Sequence, residues 1–455
     1  MARTGSATVR FLAGRGARVK VSEAKPAGEL EAARKALADI PMEWELGGHT
    51  FPFFADADLI VVSPGVPMDI EPLGQARLKG IPVISEVELA FRFLRRPLIA
   101  VTGTNGKTTT TTLIEEMLRA SGKSVFVGGN IGEPLIGYVE TSQKEEWVAA
   151  EISSFQLEGI VKFRPTIGVL LNITEDHLDR YPDFQEYIRA KGKIFQNQGK
   201  GDTALLNADD PLTFQFAHQV ESQVVLFSAQ RPVPVGSFLE KGAIFYLGAD
   251  GKRMRYGLDR LKIRGVHNLE NLMAAIAVGQ ICGCPPEVLQ RVIDEFPGLE
   301  HRLEWVGDID GVSFFNDSKG TNVGSVVKSL MSFQRPILLI AGGKDKGGDY
   351  GPLKKLISEG VKGMALIGEA KERIWGALGG LTETVKLNTL EEAVHWAFSR
   401  AHSGDVVLLS PACSSFDMFE NYQERGKRFK AIVHGLPQRN IPHSKGRNDE
   451  PRPAH

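Results

Sequence analysis

The chain has 455 residues, 42 % of them hydrophobic and 24 % charged, with a formal net charge of −1. At roughly 150 residues per domain this length suggests about three domains, and the balanced charge offers nothing global to nucleic acid or an anionic membrane. An odd set of three cysteines, Cys282, Cys284 and Cys413, without a Cys-x-x-Cys pair argues against a disulfide framework or a zinc ribbon, and no apolar run approaches the ~18–20 residues of a membrane span.

In chain order, three blocks alternate short apolar runs with amphipathic stretches, the pattern of parallel strands joined by crossover helices. The first block, to about residue 95, holds a helix ending near Gly16 and strand-like runs at 18–22, 59–64 and 81–84. It opens in mid-fold. Residues 4–12 look like the end of a glycine-rich turn running into a helix, and only Met1 to Arg3 stand where a mononucleotide-binding half has its first buried strand. The second block begins at 97–102 and continues through 124–128, 147–152 and 166–173, and a break follows at Pro297. The third contains runs at 311–317, 336–342, 363–368 and 405–410. The N-terminus carries no uninterrupted apolar segment of the secretory kind. The polar, proline- and charge-rich stretch from about 440 reads as a disordered tail.

The expected architecture is α/β with three domains. Residues 1–95 form a Rossmann-like domain with its first strand missing, 96–297 a P-loop ATPase-type domain, and 298–455 a second Rossmann-like domain.

The strongest local motif is GTNGKTT at 103–109, preceded by an apolar strand and followed by a helical stretch. That is the context of a phosphate loop. Gly103, Thr104, Asn105 and Gly106 are small enough for successive backbone N–H groups to turn around phosphate oxygens, at the positive end of a helix. Lys107 can reach the β and γ phosphates, and the hydroxyl of Thr108 or Thr109 can ligate Mg²⁺. Val101 stands where the strict pattern has its first glycine.

Two later residues extend this set. Glu151 closes a strand, where P-loop proteins place an acid, although strand-end capping would use the same residue. His177 follows the run 166–173; a lone histidine there is as readily structural as catalytic. Together with Lys107, on successive strand ends, they point to a divalent-metal site.

Taken in order, the motifs resemble those of the Mur ligases, the cytoplasmic enzymes that assemble the peptidoglycan stem peptide. GTNGKTT at 103–109 is similar to their ATP loop. EISSFQLE at 151–158, NITEDH at 172–177, HRLE at 301–304, NDSKGTN at 316–322, GGKDKG at 342–347 and SPACSSFD at 410–417 resemble the form carried by the D-glutamate-adding branch. The resemblance spans nearly the whole chain.

The resemblance implies an ATP-dependent ligation in which D-glutamate is joined to UDP-N-acetylmuramoyl-L-alanine through an acyl phosphate. It implies a cytoplasmic monomer, with no nucleic acid or membrane partner, using ATP and Mg²⁺. By the family pattern Thr109 and Glu151 serve one metal, and His177 the other. A carbamylated lysine belongs beside that second metal: Lys191 in AKGKIF at 190–195 matches best, with Lys193 the neighbouring alternative. Lys107, His177 and Lys191 are the implied catalytic set. Asn268 and Asn271 fall by the adenine, though Asn271 would also serve as a helix-packing amide. Arg302 and Asp317 fall by the phosphate and ribose.

For the donor, Asn130, Ser153 and Gln156 would line the muramyl-alanyl part, and Thr4, Glu23, Ser63 and Gly65 match what remains of the uridine diphosphate site. For D-glutamate the implied residues are Lys319, Thr321, Lys344 or Lys346, and Ser415, which could instead cap a helix. Tyr422 stands where the family often has phenylalanine. A folylpolyglutamate synthetase type of ligase would share the ATP loop and the lysine, but would lack the uridine domain and SSFQLE. The diaminopimelate- or lysine-adding type would carry Asp-Asn-Pro-Arg, which is absent. A plain P-loop ATPase would release phosphate without an amino-acid acceptor.

Overall fold

A computed structural model describes residues 3–177, 180–263, 265–345 and 347–437. They divide into two compact units, one up to Leu299 and the other formed by Glu300–Asp345 and the chain from Asp349. Among the described residues no helix is long and apolar enough to cross a membrane.

The first unit opens with the helix Arg3–Ala13 and four short strands. β1 (Val19–Glu23) pairs in parallel with β2 (Met42–Leu46), and β3 (Ile60–Val62) with β4 (Val83–Ser85). The two pairs are separate two-stranded sheets, each with its own small apolar cluster. A larger sheet follows. Its strands are β5 (Leu98–Thr102), β6 (Val125–Gly129), β7 (Trp147–Glu151), β8 (Ile167–Leu170), β9 (Thr203–Asn207), β10 (Gln223–Ser228), β11 (Gly236–Glu240), β12 (Ala243–Leu247) and β13 (Arg253–Tyr256). Their spatial order is β13-β12-β11-β10-β9-β8-β5-β7-β6. The strands from β6 across to β11 run parallel, and β12 and β13 close the edge as antiparallel hairpin strands.

β5 explains why the run at 97–102 reads as continuously apolar. Leu98 and Ala100 pack into one core and Ile99 and Val101 into the other, all at most 1 % exposed. A parallel strand covered on both faces has no polar side to show. Burying each such Leu, Ile or Val contributes roughly 1.5–3 kcal/mol. The chain leaves β5 toward β6 and β7 on one side and returns as β8 on the other. The loop after β5 therefore opens at a topological switch point, where α/β sheets place ligands.

The second unit is a six-stranded sheet of order β14-β15-β19-β16-β17-β18. Its strands are β14 (Glu304–Ile309), β15 (Val312–Asn316), β16 (Ile337–Gly342), β17 (Val361–Ile367), β18 (Glu383–Lys386) and β19 (Val406–Leu409). All neighbours are parallel except β14, which runs against β15. Apolar clusters cover both faces. Since β19 inserts between β15 and β16, the loops that follow these three strands lie side by side. Residues 317–322, 343–345 and 410–417 belong to those loops.

Candidate active site

The strand β5 runs on through Thr102, so the loop is only Gly103 to Gly106 before the helix Lys107–Ala120 begins. Val101 is thus a buried strand residue, which is why it need not be glycine. The two glycines that remain are fixed by geometry. Gly103 has φ +146°, and a Cβ there would come within 3.1 Å of Leu171 Cβ and 3.3 Å of Asn172 N. Gly106 has φ +88°, and a Cβ would press to 2.1 Å from Asn271 Oδ1. Both are conformations and approaches that only glycine tolerates.

Asn172, just past β8, holds the loop from the far side. Its carbonyl accepts the Thr104 N–H at 2.9 Å, its Oδ1 accepts the Asn105 N–H at 2.9 Å, and its Nδ2 donates to the Asn105 carbonyl at 3.0 Å. The Thr104 hydroxyl lies between the Thr174 carbonyl and the Tyr187 hydroxyl, each at 3.1 Å. The helix Val266–Ile281 packs against Lys107–Ala120. Asn271 accepts from the Thr110 hydroxyl at 3.3 Å and donates to Asn268 Oδ1 at 3.4 Å. Asn271 thereby packs two helices and abuts Gly106.

Three charged groups converge on this loop. Lys107 Nζ donates to the carbonyls of Gly103 and Thr104, both at 2.9 Å. Lys191, in the helix Phe184–Gly192, is 2 % exposed, and its Nζ donates to the same Gly103 carbonyl at 2.9 Å while lying 4.5 Å over the Tyr187 ring. Burial, aided by the Lys107 charge, pushes the Lys191 amine well below the usual lysine range, against the pull of Asp176 and Glu151. Lys193 points elsewhere, donating to the Glu158 carbonyl at 3.0 Å. Glu151, the third group, is buried at the end of β7. One oxygen accepts from the Thr108 hydroxyl at 2.7 Å and the other from Asn130 Nδ2 at 2.8 Å. Thr108, rather than Thr109, is the threonine whose hydroxyl meets this acid; Thr109 is buried one position further into the helix.

His177 has φ +57° and sits beside Asp176, with Nε2 at 3.8 Å from Oδ2. Its ring meets Phe155 edge-on at 4.8 Å. Among the described residues no three His, Cys, Asp or Glu side chains gather as a metal-binding group. The donor set at Glu151 nonetheless fits Mg²⁺. A buried carboxylate held only by neutral donors, beside a hydroxyl, offers hard oxygens, and Mg²⁺ commonly takes one or two protein ligands and fills the rest with water and phosphate.

Ser153 and Gln156 form a capping box at the helix Ser154–Glu158: the Ser153 N–H and hydroxyl both donate to Gln156 Oε1, and the Gln156 N–H donates to Ser153 Oγ. The expected nucleotide residues are dispersed over the N-terminal helix, a strand end and a loop. Thr4 lies in the first turn of Arg3–Ala13, Glu23 ends β1, and Ser63 and Gly65 follow β3. Arg180 reaches that last loop, with Nη2 on the Val66 carbonyl at 2.9 Å.

In the second unit Asp317 leaves β15 fully engaged. Its Oδ2 accepts from the hydroxyls of Ser329 and Ser410, both at 2.7 Å, and its Oδ1 from the Leu303 N–H at 3.3 Å. Burial raises its carboxyl to about 6, opposed by these bonds and by the charge of Arg302. Arg425, 1 % exposed, ties two of the three adjacent loops together. It donates to the Ser318 hydroxyl and carbonyl at 3.0 and 2.8 Å and to the Cys413 carbonyl at 3.2 Å. Lys344 and Ser414 exchange backbone hydrogen bonds at 2.9 and 3.1 Å, which brings in the third.

Lys319, Thr321, Lys344 and Ser415 therefore stand on one cluster of loops. Lys319 Nζ lies 4.0 Å over the Tyr422 ring, and the Ser415 carbonyl accepts from Met418 and Phe419. Lys346 lies outside the described residues. Asn172 opens the NITEDH motif, but its role in holding the loop, like those of Tyr187, Arg180 and Arg425, was not legible, because the partners are distant in the chain.

Comparison with known proteins adds the following. Residues 1–85 match a Mur ligase MurD-like N-terminal domain, 101–279 the Mur ligase middle domain, and 301–413 the Mur ligase glutamate ligase domain. A UDP-N-acetylmuramoylalanine--D-glutamate ligase of Geotalea daltonii is 53 % identical over 436 residues, 96 % of each chain. One from Koribacter versatilis is 44 % identical over 438 residues, again 96 % of each. Among solved structures, a pseudomurein peptide ligase type C from Methanothermus fervidus superposes with a TM-score of 0.63 at 19 % identity, covering 95 % of this chain and 98 % of that one. UDP-N-acetylmuramate-alanine ligase from Thermotoga maritima gives 0.56 at 20 %, covering 95 % and 97 %. At such identities the likeness is one of fold, a three-domain α/β architecture built on parallel sheets.

Proposed function

The chain belongs to the Mur ligase family, and from that premise we infer that it joins D-glutamate to UDP-N-acetylmuramoyl-L-alanine at the cost of ATP, in peptidoglycan synthesis. The observation that carries this is 53 % identity, over 96 % of both chains, to a ligase of that name. The domain limits we propose are 1–95, 96–297 and 298–455, supported by the matches at 1–85, 101–279 and 301–413. A UDP-linked donor and ATP put the reaction in the cytoplasm, and we propose that the enzyme acts as a monomer.

A carboxylate is a poor electrophile, so an L-alanyl oxygen first takes the γ-phosphoryl of ATP and ADP leaves. The D-glutamate amine then attacks the acyl carbon, the amide forms, and inorganic phosphate departs. Phosphoryl transfer asks the protein for positioning and charge stabilisation. The backbone of 103–107, at a helix N-terminus, cradles the phosphates, and Lys107 neutralises charge on the transferred group. Mg²⁺, when bound, would supply charge neutralisation, with Glu151 and Thr108 or Thr109 holding one ion and His177 serving a second.

We propose that Lys191 is carbamylated. The reaction with CO₂ needs a neutral amine, forms an N–C bond and releases a proton, and burial that lowers the amine well below the usual lysine range favours it. The carbamate would add hard oxygen ligands beside the second metal. Asn268 and Asn271 would neighbour the adenine, with Arg302 and Asp317 serving phosphate and ribose. Asn130, Ser153 and Gln156 would line the muramyl-alanyl part, and Thr4, Glu23, Ser63 and Gly65 the uridine diphosphate. Lys319, beside Tyr422, with Thr321, Ser415 and Lys344 or Lys346, would hold the two carboxylates of D-glutamate.

The test is phosphate release with ATP and Mg²⁺. It is expected only when both UDP-N-acetylmuramoyl-L-alanine and D-glutamate are present, with L-glutamate at least ~100-fold poorer, a difference of about 2.7 kcal/mol. Phosphate release that ignores the acceptor, or equal use of both enantiomers, would overturn the assignment.

A further inference from the structure

Arg180 lies between two segments that the proposed function gives to opposite ends of one long donor. On one side its Nη2 donates to the Val66 carbonyl at 2.9 Å and its Nη1 to the Pro64 carbonyl at 3.3 Å, clamping the loop that carries Ser63 and Gly65. On the other side Glu158 Oε2 stands 3.8 Å from Nη2, and the guanidinium carbon lies 4.4 Å over the Phe155 ring. Phe155 and Glu158 belong to the short helix capped by Ser153 and Gln156. That helix is itself fixed. Glu158 Oε1 accepts from the Tyr181 hydroxyl at 2.5 Å, Phe155 stacks on Tyr181 at 5.8 Å, and Phe155 meets the His177 ring at 4.8 Å.

We propose that Arg180 is a positioning residue that sets the span between the nucleotide-diphosphate subsite at 63–66 and the muramyl-alanyl subsite at 153–158, so that the enzyme gauges a donor of fixed length. The inference rests on the proposed function. Arg180 touches neither subsite's expected substrate contacts directly, but it joins the backbone of one to the side chains of the other. Its side chain is 16 % exposed, so these contacts escape most of the screening that weakens surface pairs. A planar fork can meet two carbonyls while its face stacks on an aromatic ring; a lysine ammonium cannot do both. Binding energy at the nucleotide end accelerates the reaction only if the alanyl carboxylate arrives in register at the other end. A loop that drifts relative to the helix loses that register.

The experiment compares Arg180→Lys and Arg180→Gln with wild type on two donors, UDP-N-acetylmuramoyl-L-alanine and N-acetylmuramoyl-L-alanine without the nucleotide. With the full donor both variants should lose about 30-fold in kcat/KM, mostly through KM, the scale expected of a small misplacement. With the truncated donor they should match wild type within about 3-fold, because a donor that never reaches the 63–66 loop cannot feel its displacement. The KM values for ATP and D-glutamate should stay put. A milder variant, Glu158→Gln, keeps the fork and should show the same donor-selective pattern at smaller size. Equal losses on both donors, or no loss on the full donor, would overturn the proposal. A wild-type enzyme that cannot use the full donor at all would overturn the functional assignment, and this inference with it.

Discussion

Two lysines share one acceptor, the carbonyl of Gly103, and they differ in burial. Lys107 is partly open, with its Nζ on the Gly103 carbonyl of the phosphate loop. Lys191 is enclosed, and burial, with the Lys107 charge beside it, lowers its amine well below the usual lysine range. This asymmetry supports the proposal that Lys107 neutralises charge and that Lys191 is carbamylated. Replacing Lys191 by alanine should reduce turnover by ~10²-fold or more, in the range of a lost electrostatic stabiliser. Acetate or formate should restore part of it by supplying a carboxylate where the carbamate would lie. Steady-state ADP release with and without these acids is the measurement. Near wild-type turnover in Lys191→Ala, or a loss that no small carboxylate relieves, would count against the modification.

At the scale of elements, the helix Glu86–Phe91 is joined to the turn after Ser154–Glu158 by one buried carboxylate. Glu88 Oε2 accepts the N–H groups of Val161, Lys162 and Phe163 at 2.8–2.9 Å, while Oε1 accepts from Arg92 Nε at 2.9 Å. Glu88→Ala strands three backbone donors and should destabilise the first unit by about 3 kcal/mol or more, read by denaturant unfolding. A change within about 0.5 kcal/mol, the range of a neutral surface substitution, would show that water takes over these donors.

Glu88 also marks where sequence reasoning stops. The phosphate loop was legible because strand, glycines, lysine and helix are contiguous, and the buried runs at 97–102 and 147–152 emerge as β5 and β7. Lys191 could be singled out only through family resemblance, since a lysine in an amphipathic helix otherwise reads as solvated. Glu88, Arg180 and Arg425 find their partners 73–75, 114–116 and 107 residues away, or across a loop. No local period encodes such pairings. The strands β9 to β13 also went unmarked, as did β2, whose half-exposed Met42–Leu46 shows no apolar run.

On the scale of the whole molecule the chemistry is divided. The first unit carries the phosphate loop, Glu151, Lys191 and the proposed donor subsites; the second carries the loop cluster with Lys319, Thr321, Lys344 and Ser415. This division suits a reaction with two separable requirements, activation of a carboxylate and presentation of an amine. The central claim is that activation proceeds by phosphorylation of the L-alanyl carboxylate. Oxygen-18 in that carboxylate tests it most directly. In the proposed reaction one labelled oxygen bridges carbon to phosphorus, so attack by D-glutamate should leave one label in the amide and one in the released inorganic phosphate. Phosphate released without label while the amide forms would contradict the account.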